Sequence, residues 1–191
     1  MRMFRILAPA VALAACVAAL AQTPDYKNVG RTPSAEEMRA WDISVGPAGK
    51  ELPPGSGTAK VGAEIYAKKC AVCHGATLEG SKATGAPRLV GGQGTLTTPH
   101  IQRSIGSYWP FATTIFDFIN RGMPPNQPMQ FKPDEVYSLS AFLLYKNGII
   151  QESDVIDAKS LPKIQMPNRN NFVPLWPVWD KKAVRPYGIY P

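Results

Sequence analysis

Cys70, Cys73 and His74 stand in the order C-x-x-C-H, with Ala71 and Val72 between the two cysteines. Positions i, i+3 and i+4 share one face of a helical turn, so two thiols and an imidazole can meet one partner there. The chemistry this order fits is covalent attachment of a c-type haem. The thiols add to the two porphyrin vinyl groups as thioethers, and the histidine that follows ligates iron from one side. Paired cysteines also serve zinc and redox dithiols. A zinc site needs further Cys or His ligands nearby, and none follow. A thioredoxin-like dithiol sits in a βαβ pattern, and none is visible.

Iron held by His74 has a second axial position. Met123 stands in Arg121-Gly122-Met123-Pro124 after an apolar run, and Met129 lies in the same stretch. Met166 comes later and Met38 precedes the motif. A thioether is a soft, neutral ligand that favours ferrous iron, so a His/Met pair raises the potential. Met129 equally suits a flexible gap-filler. His100 is the other histidine and would give a bis-His haem; its setting, Thr97-Thr98-Pro99-His100, reads as an exposed loop. Arg88, Tyr108 and Trp109 are candidate donors to the haem propionates, because a buried unpaired carboxylate is costly. Each of the three also suits packing or the surface.

The elements that must position these groups are helical. Residues 58–74 read as a helix, with Val61, Ile65 and Tyr66 at helical spacing, and it delivers the motif at its end. Gly62 carries a propensity cost in mid-helix that a close helix crossing would explain. Residues 75–107 are Gly-rich and read as irregular. Phe111 to Arg121 is a second helix ended by Gly122. Lys132-Pro133-Asp134-Glu135 opens a third, with Pro133 at N1, which closes on Asn147-Gly148. No period-two pattern persists, so almost no sheet is expected.

The flanks carry other signals. Residues 1–21 read as a signal peptide, with Arg2 and Arg5 before an apolar run and Ala19-Leu20-Ala21 as the cleavage site. The run is short for a membrane span. Leu13-Ala14-Ala15-Cys16 resembles a lipobox, so a lipid anchor at Cys16 is the alternative to a soluble periplasmic product. Residues 22–57 form an N-terminal extension, in which Ser34 and Glu37 make a capping box for a short helix to about Ile43. Residues 58–150 form the haem domain. Residues 151–191 are a Pro- and aromatic-rich extension holding Phe172, Trp176, Trp179 and Tyr187. It either wraps its own domain or serves as a docking arm.

The three cysteines leave no disulfide for a mature chain whose Cys70 and Cys73 hold haem. The net charge of +7 falls to +5 when Arg2 and Arg5 leave with the leader. This is a mildly basic, solvated surface, without the Lys/Arg cluster of a nucleic-acid binder. It leaves open some steering towards an acidic partner.

The helix leading into C-x-x-C-H, the Met123-Pro124 pair and the Ala141-Phe142-Leu143-Leu144 helix together resemble class I cytochrome c. The resemblance implies an all-α class I cytochrome c fold around one covalently bound haem, with N- and C-terminal extensions. It also implies that the first and last helices cross at Gly62 and Tyr66 against Leu139 and Phe142. It places the axial methionine at Met123, and the carbonyl that orients His74 at Pro87. Gly106-Ser107-Tyr108-Trp109-Pro110-Phe111-Ala112-Thr113-Thr114 and Phe116-Asp117-Phe118-Ile119-Asn120-Arg121-Gly122-Met123-Pro124 resemble the SoxD family. So do Ala40-Trp41-Asp42-Ile43, Leu89-Val90-Gly91-Gly92 and the stretch from Leu161 to Arg169. That family comprises cytochrome c subunits of sulfane/sulfite dehydrogenase systems, paired with a molybdenum subunit. Typical members carry a second cytochrome domain with its own C-x-x-C-H, and this sequence holds one such motif.

Three functions compete. The first is single-electron transfer from a dehydrogenase, with a SoxC-like molybdoenzyme implied by the resemblance, to a downstream cytochrome or oxidase. That role is not enzymatic. The second is a haem enzyme with a labile sixth ligand, either a peroxidase or a thiosulfate-oxidising protein. The third is a cytochrome subunit locked onto a catalytic partner by its extensions.

Overall fold

A computed structural model describes residues 29–172. The leader, Cys16, and Trp176, Trp179 and Tyr187 lie outside the described residues. The chain divides into two units, residues 1–42 and 43–191. The described part of the first is one helix, α1 (Ala35–Trp41). Its start is the expected capping box: the Ser34 hydroxyl accepts from Glu37 N–H, and Ser34 N–H donates to Glu37 at 2.8 Å. No residue of α1 is buried.

The second unit is built on two helices that cross. Strand β1 (Ser56–Thr58) leads directly into α2 (Ala59–Lys69), whose N-cap is Thr58. Four further helices follow: α3 (Ala71–His74), α4 (Ile105–Tyr108), α5 (Thr113–Gly122) and α6 (Pro133–Lys146). Strand β2 (Val155–Asp157) returns antiparallel to β1, with Gly57 opposite Ile156. This pairing closes the start of the segment that leads to Cys70 against the residues that follow α6. A short 3₁₀ turn, Leu161–Lys163, ends the described elements.

Gly62 explains itself at the crossing of α2 with α6. A Cβ there would fall inside the Ser138 carbonyl group, and a Cβ on Gly57 would fall on the Ser138 backbone nitrogen. Only hydrogen lets the two backbones come this close. One turn on, Tyr66 meets Phe142 with ring centroids 5.2 Å apart. Helix α6 is buried almost all round, from Val136 to Leu144. Its two inward serines cost little, because each hydroxyl donates back to the carbonyl four residues earlier: Ser138 to Asp134 at 2.7 Å and Ser140 to Val136 at 2.8 Å. Helix α5 buries Ile115, Phe116 and Ile119, and Phe116 packs on Tyr137 at 4.6 Å.

The structure departs from the sequence reading in two places, and up to Phe172 it bears out the wrapping of the C-terminal extension on its own unit. The helix expected over 58–74 breaks at Cys70, which leaves α3 as a separate turn. Residues 75–107 hold the single-turn helix α4, capped by Ser104, which is too short to show a period. The segment after residue 150 also feeds the core: Ile156, Leu161 and Met166 are buried. Asn168 donates to the Tyr108 carbonyl at 2.8 Å, and Gln165 bridges Phe111. Up to Phe172, then, this segment wraps its own unit.

Candidate functional site

The α2–α6 crossing forms one wall of an apolar cavity of about 230 Å³. Tyr66, Leu139 and Leu143 line it from the crossing. Ile105 comes from α4, and Ile115, Phe118 and Ile119 from α5. Pro87 and Leu89 close it from the Gly-rich loop, and Met123, Pro124 and Phe131 from the segment joining α5 to α6. Lys69 is the one lysine or arginine in the lining.

Cys70, Cys73 and His74 all face this cavity. Their backbone is held almost carbonyl by carbonyl. The Cys70 carbonyl accepts from His74 N–H at 2.9 Å, and the Ala71 carbonyl from Gly75 N–H at 2.9 Å. Thr84 Oγ1 donates to the Cys73 carbonyl at 3.0 Å, and Gly80 N–H to the His74 carbonyl at 2.8 Å. The Tyr66 hydroxyl donates to the Gly75 carbonyl at 2.7 Å. A short helix has no internal partners for its last carbonyls, and here side chains and the following loop supply them. Gly75 makes the exit turn at φ 80, where a Cβ would meet the Glu79 carboxylate.

His74 Nδ1 lies 2.9 Å from the Pro87 carbonyl oxygen. A carbonyl only accepts, so Nδ1 carries the proton and Nε2 keeps its lone pair. That is the tautomer a metal-binding imidazole needs. Burial pushes the Cys70 thiol up to about 11, and the neighbouring Cys73 adds to the shift. Cys70 is half-buried, while Cys73 is exposed.

Met123 caps α5, its N–H bonded to the Ile119 carbonyl at 3.2 Å before the chain turns extended. The other thioethers lie elsewhere. Met129 is 55% exposed and held at φ 60. Met166 is packed in the core, and Met38 is exposed on α1. His100 sits on an exposed loop. Of the three candidate propionate donors, Trp109 lines the cavity and meets Phe118 edge-on at 5.5 Å. Arg88 is bonded to Gln102. Tyr108 lies under Arg103 and against Phe172, beside a different cavity. The sequence reading missed Lys69, Thr84 and the Tyr66 hydroxyl. Their roles depend on backbone carbonyls and a wall that only the folded chain brings together.

Residues 59–146 match the family model for cytochrome c. Among solved structures, the chain matches the sulfane dehydrogenase SoxCD from Paracoccus pantotrophus at 35% sequence identity and a TM-score of 0.70. The match covers 85% of this chain and 82% of that one. The chain belongs to the cytochrome c family. No curated protein sequence matches it. The cytochrome has the expected helical fold, with two three-residue strands among the described residues. As a cytochrome c domain it carries covalently bound haem c and works in electron transfer. The residues present suit that group: an apolar cavity for a macrocycle, two thiols at its edge, and an imidazole already in the ligating tautomer. Cytochrome c domains are typically exported. Among the described residues no helix is long and apolar enough to cross a membrane.

Proposed function

We propose that this cytochrome is a periplasmic monohaem carrier, passing single electrons from a dehydrogenase to a downstream cytochrome or oxidase. Cys70 and Cys73 hold the haem, and His74 and Met123 ligate its iron. Bound haem supplies a one-electron ferric/ferrous couple. Everything else is the work of the chain. Pro87 fixes the His74 ring and raises its basicity through the Nδ1 hydrogen bond. The apolar lining excludes water and, with a thioether from Met123, favours the ferrous state. Trp109 offers an indole N–H at the cavity wall for a propionate. A sulfane dehydrogenase partner is the donor that the solved relative suggests. Co-purification separates a fixed subunit from a free shuttle.

The observation that carries this reading is that His74, with its tautomer set, and Met123 line the same apolar cavity. His74 and Met123 would together hold the iron and would leave it no place for a substrate. The test is an absorption spectrum of the exported protein, oxidised and reduced, with and without carbon monoxide. The reduced wild type is expected to ignore carbon monoxide. Met123→Ala is expected to bind it and to have a lower midpoint potential, while Met129→Ala behaves as wild type. A prompt carbon monoxide shift in the wild type would point instead to an open iron and a haem enzyme. A Met123→Ala protein with unchanged ligand binding and potential would remove Met123 from the assignment.

A further inference from the structure

We propose that Asn147 is a positioning residue for His74, acting through the loop that carries the Pro87 carbonyl; the proposal rests on His74 being the iron ligand. Asn147 follows α6 and is 7% exposed. Its side-chain amide faces two ways at once. Nδ2 donates to the Leu143 carbonyl of its own helix at 2.8 Å and to the Leu89 carbonyl at 3.1 Å. Oδ1 accepts from Gly91 N–H at 3.3 Å. The Asn147 backbone carbonyl accepts from Gln93 Nε2 at 2.9 Å. With two carbonyls on one side and an N–H on the other, one orientation of the amide satisfies all three partners of the side chain. Helix α4 closes over it at Gly106, where a Cβ would fall on Oδ1.

These bonds go where the loop has no other regular support. Between Pro87 and Gln93 there is no helix or strand, and Gly91 and Gly92 both take positive φ. A segment of that kind has no ladder of its own, so its backbone groups need outside partners. Leu89 is pinned on both sides: its N–H bonds the Leu78 carbonyl at 2.9 Å, and its carbonyl bonds Asn147. Two residues earlier, the Pro87 carbonyl bonds His74. Leu89 itself lines the cavity. Holding Leu89 therefore sets both the wall beside the haem and the aim of the carbonyl that orients the ligand. Asn147 ties these to the rigid end of α6.

The test is made on the ferric holoprotein, by NMR. The His74 ring protons are expected to carry the large shifts of an iron ligand, and the readout is the rate at which Nδ1–H exchanges with deuterium. Asn147→Leu keeps the shape and removes the side-chain bonds. It should speed that exchange by roughly tenfold, the scale of one or two lost hydrogen bonds, and move the midpoint potential. Gln93→Leu removes one bond from an exposed side chain and should speed it less. Leu161→Ala, a cavity in the core away from the loop, is the control at matched global stability and should change neither readout. If Asn147→Leu does not fold, Gln93→Leu decides the matter. Exchange as slow as wild type in the folded variant, or acceleration equal to that of Leu161→Ala, would overturn the proposal. An unshifted His74 ring in the wild type would overturn the ligand assignment and the proposal with it.

Discussion

The α2–α6 crossing and the loop from Gly75 to Arg103 line the same cavity, but they are held by different physics. The crossing is a matter of volume. Gly57 and Gly62 press on the backbone of Ser138, Tyr66 packs on Phe142, and Val136 to Leu144 are buried. The loop is a matter of single hydrogen bonds. Leu78 is its one fully buried large side chain, and many of its glycines sit at positive φ. Its shape comes from Thr84, Tyr66, Asn147 and the Leu78–Leu89 pair. A close-packed crossing resists a change until it fails as a whole, whereas a loop held by separate bonds opens piece by piece. One wall fixes the shape of the cavity. The other holds the Pro87 carbonyl against His74.

Breaking the crossing should give the largest effect. In Gly62→Val the new Cβ would occupy the Ser138 carbonyl, and neither helix backbone can yield without leaving its neighbours. A loss on the order of 4 kcal/mol is expected, the range of severe overpacking. It would be read as a large fall in the denaturant midpoint. A variant with the wild-type midpoint would mean that α2 and α6 do not meet at this residue.

Tyr137 tests the same scaffold at its other end, with a smaller effect. Its ring is fully buried against Phe116, and its hydroxyl donates to the Pro53 carbonyl at 2.8 Å. Burial pushes the phenol up to about 12, with Asp157 and Asp134 adding to the shift. The folded state therefore prefers the protonated form. The stability this gives is complete below the ordinary tyrosine pKa of about 10 and is lost as pH rises through the folded value. Tyr137→Phe should cost about 1 kcal/mol at neutral pH. Above about pH 10 the wild-type stability should fall more steeply than that of the variant. Parallel curves there would mean that the hydroxyl reaches water.

The same contrast explains what the sequence disclosed. The crossing was legible in part: Gly62 and Tyr66 on one helix and Leu139 and Phe142 on the other are buried as the resemblance implied, whereas Val61, which shares their helical spacing, is 48% exposed. The haem motif was legible because thioether chemistry dictates both residue types and spacing. The loop left no such trace. Asn147 read as a helix cap, which it is, but its bonds to Leu89 and Gly91 span more than fifty residues and follow no spacing rule. Arg88 and Tyr108 have chemistry suited to propionates, and in the fold Arg88 bonds Gln102 while Tyr108 packs on Phe172. Helix α4 is one turn long, and a single turn has no period to detect.

Asp117 offers the mildest and most discriminating test, because it is a polar tether placed on a helix of the scaffold. It accepts from Val45 N–H at 2.8 Å and from Arg121 Nε at 2.8 Å. Burial by itself would raise its pKa, but the Arg121 guanidinium and the Val45 N–H outweigh that and hold it below the ordinary carboxylate value. A lowered carboxylate pKa stabilises the fold at neutral pH. The contribution is lost as pH falls through the ordinary value and then the folded one. Asp117→Asn keeps an acceptor for Val45 and removes the charge. The variant should be less stable at neutral pH by under about 1 kcal/mol, because the Arg121 end of the pair is solvated. The difference should close below about pH 4. If single tethers fail locally, amide exchange should quicken at Val45 while the α6 amides stay as slow as in the wild type. Faster exchange along α6 would make Asp117 part of the close-packed scaffold, and the division between the two kinds of wall would have to be redrawn at α5.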